Sequence, residues 1–204
     1  KISERLLSCG ADVITIGNWA WGQHGFSPYL SGTDRVLRPA HMSPHAPAKG
    51  SAVHDGVAVI NLLGDLTLNP FESAFIAADR LVEEAQRQTS VIVVDFHAEA
   101  TSEKVAMGWH LDGRVTAVLG THTHIPTADE RVLPGGTAYQ TDVGMSGPYD
   151  SVIGVETGLV LHRFRTGMPG KFEAAKGNPK MCAALIGCDA ATGRATSIQR
   201  IMLG

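Results

Sequence analysis

The chain has 204 residues, 44% hydrophobic and 18% charged, with a formal net charge of -3 at pH 7. That composition suits one soluble globular domain over residues 1–204, and no apolar run approaches the roughly 18 residues that span a membrane. The charge leaves no strong footprint for non-specific nucleic-acid binding. Three cysteines, Cys9, Cys182 and Cys188, with no Cys-x-x-Cys, fit a reducing cytoplasm.

Lys1 to Cys9 reads as a helix with Ile2, Leu6 and Cys9 on one face and Gly10 as its stop. Because the chain opens inside this element and not at Met, a longer polypeptide upstream is expected. Val13 to Ile16 is a strand ending in Gly17-Asn18-Trp19. The segment 22–50 carries Pro28, Pro39, Pro44 and Pro47 with His24, His41 and His45, which predicts a turn-rich surface loop with solvated histidines. Val57 to Leu63 is the next strand, ending in Gly64-Asp65. Phe71, Phe75, Ala78, Leu81, Val82 and Ala85 then recur at helical spacing within Pro70 to Gln88.

Val91 to Val94 is a β-branched block ending in Asp95-Phe96-His97-Ala98-Glu99. Thr101-Ser102-Glu103-Lys104 signals a helix start before the apolar-periodic Val105 to Leu111, so His97 falls at a strand end. Val115 to Leu119 is a further strand, followed by Gly120-Thr121-His122-Thr123-His124. Strands alternating with helices to this point predict βαβ units and a largely parallel sheet. Beyond His124, glycines punctuate β-like runs at Leu159 to Phe164, Met181 to Cys188 and Thr196 to Ile201. These predict antiparallel strands in a second sheet packed on the first, with no further long amphipathic helix.

If the backbone stays extended past Leu119, His122 and His124 point to the same side. Two imidazoles would then converge, and neutral imidazole is the commonest side-chain ligand for transition metals. A polar turn with two surface histidines is the competing reading of that string. Three apolar runs, however, each end at a metal-capable side chain, and sites in α/β sheets form outside the carboxyl ends of strands. Asn18, His97, His122 and His124 are the candidate cluster.

Gly17-Asn18, the run Asp95 to Glu103, Gly120 to His124 and Asp142-Val143-Gly144-Met145 with Gly147-Pro148 together resemble the YmdB-like branch of the calcineurin-type metallophosphoesterases. The resemblance runs in order from Lys1 to the C-terminus. It implies a four-layer α/β/β/α sandwich and a metal-dependent phosphoesterase with two divalent or trivalent transition-metal ions, iron or manganese. The substrate it implies is a small phosphodiester, 2′,3′-cyclic nucleotides included, attacked by a water activated between the two metals. Asn18, His97 and His122 match ligands of one metal, and His124 matches a ligand of the other.

Two departures from the family pattern follow. Its first strands, which carry an aspartate ligand and a bridging glutamate, lie before Lys1, so the chain is expected to lack them and to self-associate through the edges they would cover. The position after Asn18, usually the histidine that protonates the leaving oxygen, is Trp19, so no residue is assigned as the catalytic acid. The alternative function is a catalytically weakened relative that binds a metal or nucleotide as a regulator. Asp95 reads as a turn residue or a hydrogen-bond partner of a ligand. Glu99 and Glu103 read as helix caps, Asp142 as a support for the histidines or a loop closure, and Trp21 and Trp109 as core or pocket wall.

Overall fold

The computed structural model describes residues 2–19, 26–43, 45–68 and 70–204, with the side chains of 26 and 27 left aside. His24 and Trp21 lie outside the described residues. In chain order the elements are α1 (Ile2–Ser8), β1 (Ile14–Thr15), α2 (Phe26–Ser31), β2 (Val36–Leu37), β3 (Ser51–His54) and β4 (Val57–Leu63). Then come α3 (Asp65–Leu68), α4 (Ala74–Gln86), β5 (Val91–His97), α5 (Thr101–His110), β6 (Ala117–Thr121) and β7 (Arg131–Val132). The chain finishes with β8 (Ala138–Gln140), β9 (Gly147–Pro148), α6 (Thr157–Thr166), β10 (Pro179–Cys188) and β11 (Ala195–Leu203).

The central sheet has the order β3-β4-β5-β6-β8-β7. Its four inner strands run parallel, and β3 and β7 close the two edges antiparallel. Alternation in β5 sends Ile92, Val94 and Phe96 to one face, where they meet Ala74, Ala78, Leu81 and Val82 of α4 and Met107 of α5 in the main core. Fully burying the Ile, Val, Leu, Phe and Met side chains here contributes about 1.5 to 3 kcal/mol each. On the other face Val93, Ala117, Leu119 and Ala138 pack against Ala195, Ile186 and Ile198 of the β10–β11 hairpin. The result is helices, a mostly parallel sheet and an antiparallel sheet in successive layers, as the sequence predicts.

Register places the functional end. Leu63 pairs with His97, and His97 with Thr121, so three strands stop at one level. The short pair β1–β2 is tied to that level by Asn61, whose Nδ2 donates to Ile16 O at 2.6 Å and Leu37 O at 2.9 Å. A buried amide thus anchors the segment that carries Asn18. Just beyond β4, two carboxylates interlock. Asp65 accepts from Ala74 N at 2.9 Å and Ser73 Oγ at 3.0 Å, which caps α4. Glu103 accepts from Asp65 N and Leu66 N, capping α3 and not its own helix.

Four expectations are corrected here. The apolar run Leu159 to Phe164 lies in the helix α6, because Glu156 caps its start by accepting from Gly158 N and Gly167 ends it in a left-handed turn. Only Val160 of that helix is buried. The segment 22–50, expected to be irregular throughout, holds α2 and β2. His41 is not solvated: it is 2% exposed, with Nε2 donating to Leu63 O at 2.9 Å. Trp109 is half exposed, with Arg131 stacked 5.4 Å from its ring.

Candidate functional site

Asn18, His97 and His122 meet at the carboxyl end of the sheet. His97 Nε2 lies 3.0 Å from Asn18 Oδ1 and 3.0 Å from His122 Nδ1. Close approach is possible because residue 17 is glycine: a Cβ there would come within 2.4 Å of the His97 ring.

The outer partners fix which nitrogens carry hydrogen. Thr121 Oγ1 donates to Asp95 Oδ1 at 2.8 Å, so it accepts from His97 Nδ1 at 2.9 Å and leaves Nε2 bare. His122 Nε2 donates to Glu99 Oε2 at 2.8 Å, which leaves Nδ1 bare in the neutral ring. Burial, then the neighbouring His122 and Lys104, brings the His97 pKa down to about 4, so its ring is neutral at neutral pH. Burial pushes the Asp95 carboxyl up, against bonds from Thr15 and Thr121. Asn18 Oδ1, His97 Nε2 and, in the neutral ring, His122 Nδ1 thus turn acceptor atoms toward one point. One amide oxygen and two imidazole nitrogens at this spacing form a suitable donor set for a cation. The residues present fit a transition-metal ion.

His124 does not join that contact. The extended geometry expected for His122 and His124 is not found, because β6 stops at Thr121 and both histidines take left-handed backbone, with φ of 104° and 68°. Such conformations cost non-glycine residues on the order of 1 to 3 kcal/mol each and persist only where the surroundings impose them. His124 turns away and its Nδ1 donates to Ile153 O at 2.9 Å, which leaves its Nε2 free as an acceptor at the exposed rim. Ile153, itself at φ 46°, adds a third strained position beside the site. Trp19 follows Asn18 and is 83% exposed.

Sequence reasoning missed three contributors. Glu99 serves His122 and not a helix end. Thr121 orients His97 through Asp95, which bears out the supporting role expected of that aspartate. Lys104 is 1% exposed and reaches Asp142 Oδ2 at 2.8 Å beneath the histidine loop. The spacing of His97 and Glu99 could have flagged Glu99, but nothing in the chain marks a helical lysine as buried. A separate group, Asp12, His54 and Asp55, brings ligand atoms within 4.8 Å of one another near the β3–β4 turn. Arg35 already pairs with Asp12 there at 3.7 Å, and both aspartates are exposed.

A parallel α/β layer backed by an antiparallel sheet, with histidines and an asparagine gathered at the carboxyl ends of its strands, has the architecture of the calcineurin-type metallophosphoesterases. The chain matches the YmdB-like protein family over residues 1–201 and belongs to it. It is 44% identical over 207 residues to a 2′,3′-cyclic-nucleotide 2′-phosphodiesterase of Bacillus subtilis (strain 168), covering 100% of this chain and 78% of that protein. A hypothetical protein from Thermus thermophilus superposes with a TM-score of 0.91 at 40% identity, over 100% of this chain and 81% of that one. A phosphatase from Mycoplasma pneumoniae does so with 0.90 at 33% identity, over 98% and 75%.

Proposed function

We propose that this protein hydrolyses small phosphodiesters, 2′,3′-cyclic nucleotides among them, at the cluster of Asn18, His97, His122 and His124. The observation that carries the proposal is the convergence of Asn18 Oδ1, His97 Nε2 and His122 Nδ1, each 3.0 Å from the next, at the carboxyl end of the sheet. The 44% identical phosphodiesterase supports the substrate class. Asn18, His97 and His122 would hold one transition-metal ion, and His124, with its free Nε2, would contribute to a second. Ions of iron or manganese type, when bound, neutralise charge on a phosphoryl group and lower the pKa of water.

The chain's own residues do the rest. Thr121 and Asp95 keep the His97 hydrogen on Nδ1, and Glu99 keeps the His122 hydrogen on Nε2, so both rings present lone pairs inward. Trp19 stands beside Asn18 and offers no acidic proton to a leaving oxygen, which favours substrates whose leaving group departs unaided. This is also the observation behind the second reading, a weakened relative that binds nucleotide without efficient turnover. The two are separated by assaying hydrolysis of bis(p-nitrophenyl) phosphate and a 2′,3′-cyclic nucleotide with manganese(II) or iron(II). Turnover of either ester supports the hydrolase, and binding of the nucleotide without turnover of either supports the second reading.

Three free thiols, Cys9, Cys182 and Cys188, support a cytoplasmic location. Among the described residues no helix is long and apolar enough to cross a membrane. Leu161, Phe164 and Met168 are exposed on and after α6, which supports self-association, and sedimentation at two concentrations tests it.

A further inference from the structure

We infer that Asp142, held by Lys104, is the positioning residue that sets the histidine loop, and that it acts through Thr123. The inference rests on the metal-site reading above and goes beyond it. Asp142 is 1% exposed and uses both carboxylate oxygens. Oδ2 accepts from Lys104 Nζ at 2.8 Å, Thr123 N at 3.0 Å and Thr123 Oγ1 at 2.8 Å. Oδ1 accepts from Gly144 N at 2.9 Å.

Thr123 is the residue between the two left-handed histidines, so its amide bond to Asp142 fixes the peptide plane between His122 and Thr123 and its hydroxyl bond holds its side chain. The same carboxylate holds the facing loop, where Met145 N donates to His124 O at 3.0 Å and Val143 N to Gly120 O at 2.9 Å. One buried anion therefore ties together the two loops that present His122 and His124. Lys104 supplies the opposite charge that a buried carboxylate requires, because an unpaired charge at this depth is far costlier than a paired one. Gly120 makes the approach possible: a Cβ there would meet the Thr141 carbonyl at 1.7 Å and the Lys104 stem at 3.1 Å. The glycine opening the Gly-Thr-His-Thr-His string thus admits the pair that orders its end.

Thr123→Val tests this most cleanly, since it keeps the volume and removes one hydrogen bond. Metal-free thermal unfolding, manganese(II) affinity and the histidine ring resonances are measured on the intact protein, Thr123→Val and Thr123→Ser. The expected result is a melting temperature within a few degrees of the parent for all three. Thr123→Val should lose about tenfold in manganese(II) affinity and should move the His122 and His124 resonances, leaving that of His110 in place. Thr123→Ser, which keeps the hydroxyl, should restore both. The companion Asp142→Asn should lose more affinity than Thr123→Val if it folds. Unchanged affinity and unchanged histidine resonances in a folded Thr123→Val protein would overturn the inference. If the parent protein binds manganese(II) but hydrolyses neither ester, the proposed function fails while the positioning role stands. If the parent binds no manganese(II), the metal reading fails, and the metal-free resonances alone decide whether Thr123 sets the loop.

Discussion

His97 Nε2 and His122 Nδ1 face each other at 3.0 Å, and the hydrogens of both rings are engaged elsewhere, by Thr121 and Glu99. Each ring is thus aimed by a partner on its far side. Removing a partner should weaken the site without removing a ligand.

Glu99 is exposed, and its carboxylate pairs with His122. Glu99→Gln should therefore cost little stability, within about 0.5 kcal/mol for a surface change. Metal affinity should fall by about 10- to 100-fold, as is usual when the outer partner of a ligating histidine is lost. Titration with manganese(II) alongside a thermal melt reads both. A melt shifted as strongly as the affinity would assign Glu99 a structural role instead.

Trp19 has no acidic proton and stands beside a metal-ligand candidate. In Trp19→His the rate on a 2′,3′-cyclic nucleotide is expected to rise by about 10² or more, because its ribose alkoxide must be protonated on leaving. The rate on bis(p-nitrophenyl) phosphate should change little, since nitrophenolate departs without a proton. Equal effects on the two substrates would remove the missing-acid explanation.

Much of this was legible from residue types alone. The strand Val57–Leu63 and the helical spacing from Phe75 to Ala85 follow directly from hydrophobic periodicity, and they fix the layer that aligns His97 with Thr121. The grouping of Asn18, His97 and His122 was legible because each lies at or just past the end of a strand. What failed had specific causes. The extended His122–His124 geometry is absent because both residues adopt left-handed backbone around a Thr123 that Asp142 holds from far along the chain, which no local pattern reveals. The Leu159-Val160-Leu161 run looked like a strand because it is apolar, whereas its helix is set by Glu156 and Gly167 at the ends. His41 is buried because a carbonyl on a distant strand accepts its hydrogen.

Glu103 gives a prediction about stability. Its carboxylate accepts from Asp65 N and Leu66 N, and it is 5% exposed. Glu103→Ala would leave both amides without that acceptor and should destabilise the protein by about 1 to 3 kcal/mol. At about 2 to 4 °C per kcal/mol for a chain of this size, the melting temperature should fall by several degrees. An unchanged midpoint would show that Asp65 and Leu66 find other acceptors.

The most direct measurement is metal content together with phosphodiester hydrolysis in the intact protein and in His97→Ala. His97 sits at the centre of the three converging side chains, touching both Asn18 and His122. The parent is expected to retain transition metal after dialysis and to hydrolyse bis(p-nitrophenyl) phosphate. His97→Ala should stay folded, lose the ion held with Asn18 and His122, and lose about 10² or more in rate, the scale of removing a directly stabilising group. A folded His97→Ala protein that keeps its metal and its full rate would contradict the assignment of this cluster as the catalytic centre.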